Sequence, residues 1–257
     1  MKILLFGGTT EGRELFSFLS QKHDVTLSVA SEYGRECALQ SEKIISGKLS
    51  EREMKTVLFD GKYGAVIDAT HPYATKSHAA IFDACESLHI PLLRFFRPVS
   101  KENLDGIFLF DSMTDLASAL TKTNGTIFVS TGTNDLGSLV SKIDLERLFV
   151  RTLPSEESIR ICKSLGLKGS RIIAMQGPFS ANLNEAMFLE TKSKILVTKL
   201  SGANGGEDEK IKAARALSMS IFALRRPIEK STNLAFSKND VALWLLEIAK
   251  NAKGTKK

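Results

Sequence analysis

The chain has few cysteines and no long apolar run, and each shortage removes a class of protein. Cys37, Cys85 and Cys162 stand far apart with no C-x-x-C pair among them, which excludes a disulfide scaffold and the usual structural zinc spacings. Each lies in a helix-like stretch among apolar neighbours and reads as a buried free thiol in a reducing compartment. No segment approaches the roughly 20 apolar residues that span a bilayer, so no membrane partner is expected. The start, Met1 to Phe6, reaches Gly7-Gly8 too soon for a signal peptide, and the expected location is the cytoplasm. No H-E-x-x-H, no Cys/His cluster and no G-x-x-x-x-G-K-[ST] occurs, so neither a metal site nor a P-loop is expected.

What is present suits a globular protein. Of 257 residues, 43% are hydrophobic and 25% charged, enough apolar content for a real core. The net charge of +6 raises the question of nucleic acid. Part of that excess sits in a tail, Lys250, Lys253, Lys256 and Lys257, and the other Lys and Arg are dispersed without an aromatic RNA-binding signature. A moderate positive field of this kind suits a small polyanionic ligand better than nucleic acid.

Short apolar or β-branched runs at Lys2–Phe6, Val25–Ala30, Lys43–Ile45, Ala65–Ala69 and Pro91–Phe96 alternate with segments of helical periodicity, such as Leu15, Phe18 and Leu19. After a polar stretch at Ser100–Asn103 the alternation restarts with Ile107–Phe110, Thr126–Ser130, Leu148–Arg151, Arg171–Met175, Ile195–Thr198 and Ile221–Leu224, ending in a helix at Asp240–Lys250. A repeated strand–helix series predicts doubly wound parallel sheets covered on both faces, hence an α/β protein. The expected domains are 1–99 and 100–257, with room for a strand to cross between the halves.

In such sheets ligands lie beyond the carboxyl ends of the strands, so the loops there carry the chemistry. The first is Gly7-Gly8-Thr9-Thr10-Glu11-Gly12-Arg13. Glycines let the backbone approach a phosphate and the following helix start favours its charge. It departs from G-x-G-x-x-G, and a tight turn with Thr9 or Thr10 as N-cap explains the same residues. After the second strand, where an NAD site expects a carboxylate, stand Ser28, Ala30 and Ser31, with Arg35 close behind. A hydroxyl and a guanidinium suit a 2′-phosphate and point to NADPH; Arg35 as an exposed surface residue is the alternative. Asp68-Ala69-Thr70-His71-Pro72-Tyr73-Ala74 groups His71 and Tyr73 at a strand end, where either can donate a proton. Tyr73 and Lys76 are one residue too close for a Y-x-x-x-K pair. The second half repeats the theme at Ser130–Asp135, Gln176–Ser180 and Thr198–Glu207.

Taken together, GGTTEGREL at Gly7–Leu15, DATHPYA at Asp68–Ala74, STGTND at Ser130–Asp135, MQGPFS at Met175–Ser180, TKLSGANGGEDEK at Thr198–Lys210 and Arg226-Pro227 resemble the precorrin-6A reductase family of cobalamin biosynthesis, including its cobalt-precorrin-6A members. The resemblance implies two Rossmann-like halves with a ligand cleft between them. It also implies NADPH-dependent reduction of one ring double bond in a polycarboxylate tetrapyrrole, metal-free or cobalt-containing, with no metal held by the protein itself. On that basis Gly8, Thr9, Thr10, Gly12, Arg13, Ser31 and Arg35 are expected to bind the cofactor. Thr131, Gly132, Thr133, Lys199, Ser201, Gly202 and Arg226 are expected to bind the substrate, with His71 and Tyr73 as candidate proton donors. The rival readings are an NAD(P)H oxidoreductase of another small polyanion and a non-catalytic dinucleotide sensor.

Overall fold

The computed structural model describes residues 1–36, 43–96, 104–202, 206–227 and 233–254. The chain divides into two compact units, Met1–Pro98 together with Pro227–Lys257, and Val99–Arg226.

The first unit holds a six-stranded sheet built from β1 (Lys2–Phe6), β2 (Asp24–Val29), β3 (Ile44–Ser46), β4 (Ala65–Asp68), β5 (Leu92–Phe95) and β12 (Leu234–Ala235). Their order is β3-β2-β1-β4-β5-β12, and every pairing is parallel. This is the 3-2-1-4-5-6 order of dinucleotide-binding sheets. Alternation along β1 feeds two cores. Ile3 and Leu5 pack with Leu15, Phe16 and Leu19 of α1 (Thr10–Ser20), whereas Leu4 and Phe6 face Met54 and Leu58 of α3 (Glu51–Gly61) and Ile81 and Ala84 of α4 (Thr75–Ser87). Period-two side chains that are apolar on both sides leave no face for water. α3 starts in a capping box, Ser50 with Glu53, which satisfies two of the helix's orphan N–H groups.

The second unit contains β6 (Ile107–Phe110), β7 (Thr126–Val129), β8 (Leu148–Thr152), β9 (Ile172–Ala174), β10 (Ser193–Lys199) and β11 (Ser220–Leu224) in the order β9-β8-β7-β10-β11-β6. Its pairings are parallel too. The sixth place is taken here by the strand that comes first in the unit, and in the first unit by the strand that comes last in the chain.

That arrangement corrects the expected 100–257 domain. β12 pairs with β5, and α10 (Lys238–Gly254) buries Val241 and Leu245 against Leu15 and Leu19 in the first unit's core. A two-residue strand, Leu234-Ala235, is too short to register as a periodic run, and the apolar face of α10 does not say which sheet it will cover. Cys85 and Cys162 are buried free thiols, as expected. Burial raises both, Cys85 to about 12 with the Asp68 charge adding; Cys37 and the stretch 97–103 lie outside the described residues.

Candidate functional site

At the point where each strand order reverses, two neighbouring strands send their following loops in opposite directions and open a crevice. In the first unit these strands are β1 and β4. Thr9 caps α1, accepting from the Gly12 N–H at 3.0 Å, and donates its hydroxyl to the Ala69 carbonyl at 3.1 Å. One side chain therefore ends the turn and ties the two loops together. A Cβ on Gly12 would come within 3.1 Å of the Gly7 Cα, so the helix start needs glycine to seat on its strand. Gly8, at φ +106°, has open space where a Cβ would be. Its backbone faces room for a ligand in a conformation that L side chains rarely adopt. Arg13 donates to the Thr10 hydroxyl at 3.1 Å. A small depression beside this turn is lined by Thr9, Glu11, Ala69, Thr70, Pro72, Arg94 and Phe95.

At the end of β2, Ser31 accepts from the Gly34 N–H at 3.1 Å, and Arg35 of α2 (Glu32–Glu36) reaches the Ser46 hydroxyl at 3.4 Å after β3. A serine that caps through its lone pair keeps its O–H for another acceptor.

Under the Asp68–Ala74 loop lies a buried network that the sequence reading did not assign. Asp68 Oδ1 accepts from the Thr70 N–H at 3.0 Å and the Thr70 hydroxyl at 2.7 Å, and Oδ2 is 2.7 Å from His78 Nδ1. Arg94, on β5, donates through Nη1 to the carbonyls of Asp68 and Thr70 at 2.8 and 3.2 Å. Burial would raise the Asp68 carboxyl, but the His78 bond, the Arg94 charge and the Thr70 N–H outweigh it and hold it below its ordinary value. Above this base, His71 and Tyr73 stand 5.7 Å apart by ring centroids. The Tyr73 N–H donates to His71 Nδ1 at 3.3 Å, which puts the proton of the neutral ring on Nε2.

In the second unit the corresponding strands are β7 and β10. Thr131 and Gly132 follow β7, Gly132 at φ +76°; Ser201 and Gly202 follow β10, Gly202 at φ +84°. Lys199 is buried and ion-paired to Asp135 at 2.7 Å, ahead of α6 (Leu136–Val140), so its charge is already compensated. Glu207, at the start of α9 (Glu207–Ala216), accepts from the Gly202 N–H at 2.6 Å. Burial raises its carboxyl, with the Gly202 bond opposing.

The buried cations without an ion pair of the Lys199–Asp135 kind are ones that sequence reasoning missed. Arg151, near the end of β8, is buried against the ring of Phe179 at 4.3 Å and donates to Asn184 on α8 (Ala181–Glu190) at 2.8 Å. Lys210 is also buried, one turn along α9 from Glu207. Burial and the Arg151 charge lower it to about 8, against the pull of Glu207, and burial lowers Arg151 to about 10. The hydroxyls of Thr131 and Thr198 are buried without a hydrogen-bond partner among the described residues. Paired cations and orphaned donors in one unit are what a bound anion would complete. Lys210 closes the TKLSGANGGEDEK motif, but a lysine on a polar helix reads as solvated until packing buries it.

The expected cofactor residues Gly8, Thr9, Thr10, Gly12 and Arg13 thus share one turn, and Ser31 and Arg35 stand at the next strand end of the same sheet. Thr131, Gly132, Thr133, Lys199, Ser201 and Gly202 gather at the switch point of the second sheet, with Arg226 at the unit's end. Residues 203–205 of the glycine-rich loop lie outside the described residues. Among the described residues no group of His, Cys, Asp and Glu could hold a metal, and no helix is long and apolar enough to cross a membrane.

Two six-stranded parallel sheets flanked by helices, each with glycine-bearing loops at its reversal, define a two-domain Rossmann-like α/β protein. Residues 2–245 match the precorrin-6x reductase CbiJ/CobK family, and the chain belongs to that family of oxidoreductases. The cobalt-precorrin-6A reductase of Methanothermobacter thermautotrophicus is 32% identical over 88% of this chain and 77% of its own length. That of Salmonella typhimurium is 31% identical over 88% and 87%. A solved structure of CobK precorrin-6A reductase matches with a TM-score of 0.78, covering 96% of this chain and 97% of that chain at 22% identity, which shows the shared fold.

Proposed function

We propose that this chain catalyses the NADPH-dependent reduction of one ring double bond in precorrin-6A, or in its cobalt form, to give the corresponding precorrin-6B. The observation that carries the reading is the Gly7–Arg13 turn at the first unit's switch point, in a chain that belongs to this reductase family. When bound, a reduced nicotinamide supplies a hydride equivalent. The protein's tasks are to bind, orient and donate a proton.

The open face of Gly8, the capped start of α1 and the hydroxyls of Thr9 and Thr10 suit a pyrophosphate, with Gly12 seating the helix and Arg13 adding charge. Ser31 and Arg35 suit a 2′-phosphate, and Ser46 adds a hydroxyl beside Arg35. The tetrapyrrole's carboxylates call for cations and N–H donors. Arg151 and Lys210 supply these alongside Thr131, Gly132, Thr133, Lys199, Ser201, Gly202 and Arg226. His71, with its proton on Nε2, and Tyr73, with its phenol, are the groups for protonating the reduced ring system.

The test is to mix the protein with NADPH and precorrin-6A, with and without cobalt, and to follow nicotinamide oxidation together with the tetrapyrrole spectrum. Coupled changes in both are expected. NADPH binding with no oxidation in either mixture would sink the reading and leave a dinucleotide sensor.

A further inference from the structure

His78 lies in the first turns of α4, away from the loop tip, and the proposed chemistry gives it no task. Its ring is nevertheless in contact with each wall beneath the Asp68–Ala74 loop. Nδ1 meets Asp68 Oδ2 at 2.7 Å and lies 3.2 Å from the Thr70 hydroxyl; Nε2 is 3.1 Å from the His71 carbonyl and 3.2 Å from Arg94 Nη2. A carboxylate only accepts, so Nδ1 carries a proton. Nε2 then has two modes. In the neutral ring it accepts from Arg94 Nη2 and orients the guanidinium whose Nη1 holds the Asp68 and Thr70 carbonyls. In the imidazolium it donates directly to the His71 carbonyl. In either mode the backbone of Thr70 and His71 takes its position from His78, and the Tyr73 N–H to His71 Nδ1 bond passes that position on to the exposed His71 ring and the half-buried Tyr73 ring.

We propose that His78 is a positioning residue, which through Asp68, Arg94 and the His71 carbonyl sets where the His71 and Tyr73 side chains stand for proton delivery. The inference rests on the reading of that loop as the proton-delivering edge. It differs from a purely structural role because the bonds converge on one loop's carbonyls, and small displacements of a reacting group are costly to rate.

His78→Asn keeps an N–H near the Nδ1 position for Asp68 and loses the Nε2 contacts; His78→Gln reaches the Nε2 position instead. The expected result for His78→Asn is a kcat lower by about 10- to 100-fold, with KM for both ligands within about twofold. The solvent deuterium isotope effect on kcat should rise and the effect of C4-deuterated NADPH should shrink, because proton delivery becomes slower than hydride transfer. His78→Gln should recover part of the loss. In the ligand-free protein, the ¹⁵N shifts of His71 should move from the Nε2–H tautomer towards a mixture in His78→Asn.

A merely structural role would lower the active fraction and leave both isotope effects and the His71 tautomer unchanged, and that result overturns the proposal. Wild-type turnover in the His71→Phe/Tyr73→Phe double variant overturns it by a different route, since it removes the loop's proton role while His78 is intact. Should His78→Asn fail to fold, the same measurements on His78→Gln decide the matter, with smaller changes of the same sign expected.

Discussion

The two units offer a ligand the same point of the same strand order, and they furnish it in opposite ways. At the first switch point Asp68 and Arg94 are buried among partners, each with several hydrogen bonds. At the second, Arg151 and Lys210 adjoin with Glu207 as the opposing charge on Lys210, and the hydroxyls of Thr131 and Thr198 find no partner among the described residues. A satisfied buried network rigidifies a loop, whereas an unsatisfied one leaves binding energy for whatever completes it. The first unit's network is satisfied internally, whereas the second unit keeps buried hydroxyls without a partner among the described residues.

The sharpest way to break this contrast is Lys210→Met. Truncating one member of a buried charged contact typically costs 2–5 kcal/mol, so KM for the tetrapyrrole should rise by about 100-fold while the NADPH dissociation constant holds; steady-state kinetics and cofactor titration check both. The same substitution should stabilise the ligand-free protein. Lys210 falls from an ordinary 10.5 to about 8 on folding, a cost of roughly 3 kcal/mol at pH 7. Between about 8 and 10.5 the unfolded chain binds the extra proton, so stability contributed by this site rises with pH across that window, and Lys210→Met should flatten the rise in urea titrations. An anion favours the charged ammonium, so tetrapyrrole affinity should fall as pH rises through about 8. A flat affinity profile would remove Lys210 from the site.

A smaller effect is expected at the first unit. Arg35→Ala should weaken NADPH by about tenfold and leave NADH nearly unchanged, the loss of one exposed phosphate contact; equal loss for both cofactors in a fluorescence titration would end the 2′-phosphate role. The smallest pair compares two threonines directly. Thr70→Val removes a hydroxyl that donates to Asp68 at 2.7 Å and should destabilise by about 1–2 kcal/mol. Thr198→Val removes an orphaned one and should be neutral or stabilising by up to about 1 kcal/mol. Chemical denaturation of the two variants reads the difference, and equal destabilisation would erase the contrast between the units.

Much of the fold was legible because parallel sheets covered on both faces write themselves as apolar runs. Lys2–Phe6 and Ile107–Phe110 begin and end where expected, and Thr9, one of the two cap candidates, caps α1. The candidate site was legible where it is made of loops, since glycine, threonine and serine cluster after several strands at once, although each loop alone reads equally well as a turn. It was illegible where it is made of packing. Arg94 sits in an apolar strand and Lys210 on a polar helix, and neither position shows in sequence that the packed fold buries the side chain.

Sequence by itself determined the alternation of strands and helices, the turn at Gly7–Arg13 and the family resemblance, because periodicity, capping and steric freedom at glycine act over a few residues. Tertiary structure alone decided that Leu234-Ala235 and α10 return to the first sheet, that Lys199 is ion-paired to Asp135 while Lys210 is buried near Arg151, and that His78 lies beneath His71. Those outcomes depend on which charges and apolar faces meet across large sequence separations, and burial that assigns a charge its partner, or denies it one, exists only once the chain has folded.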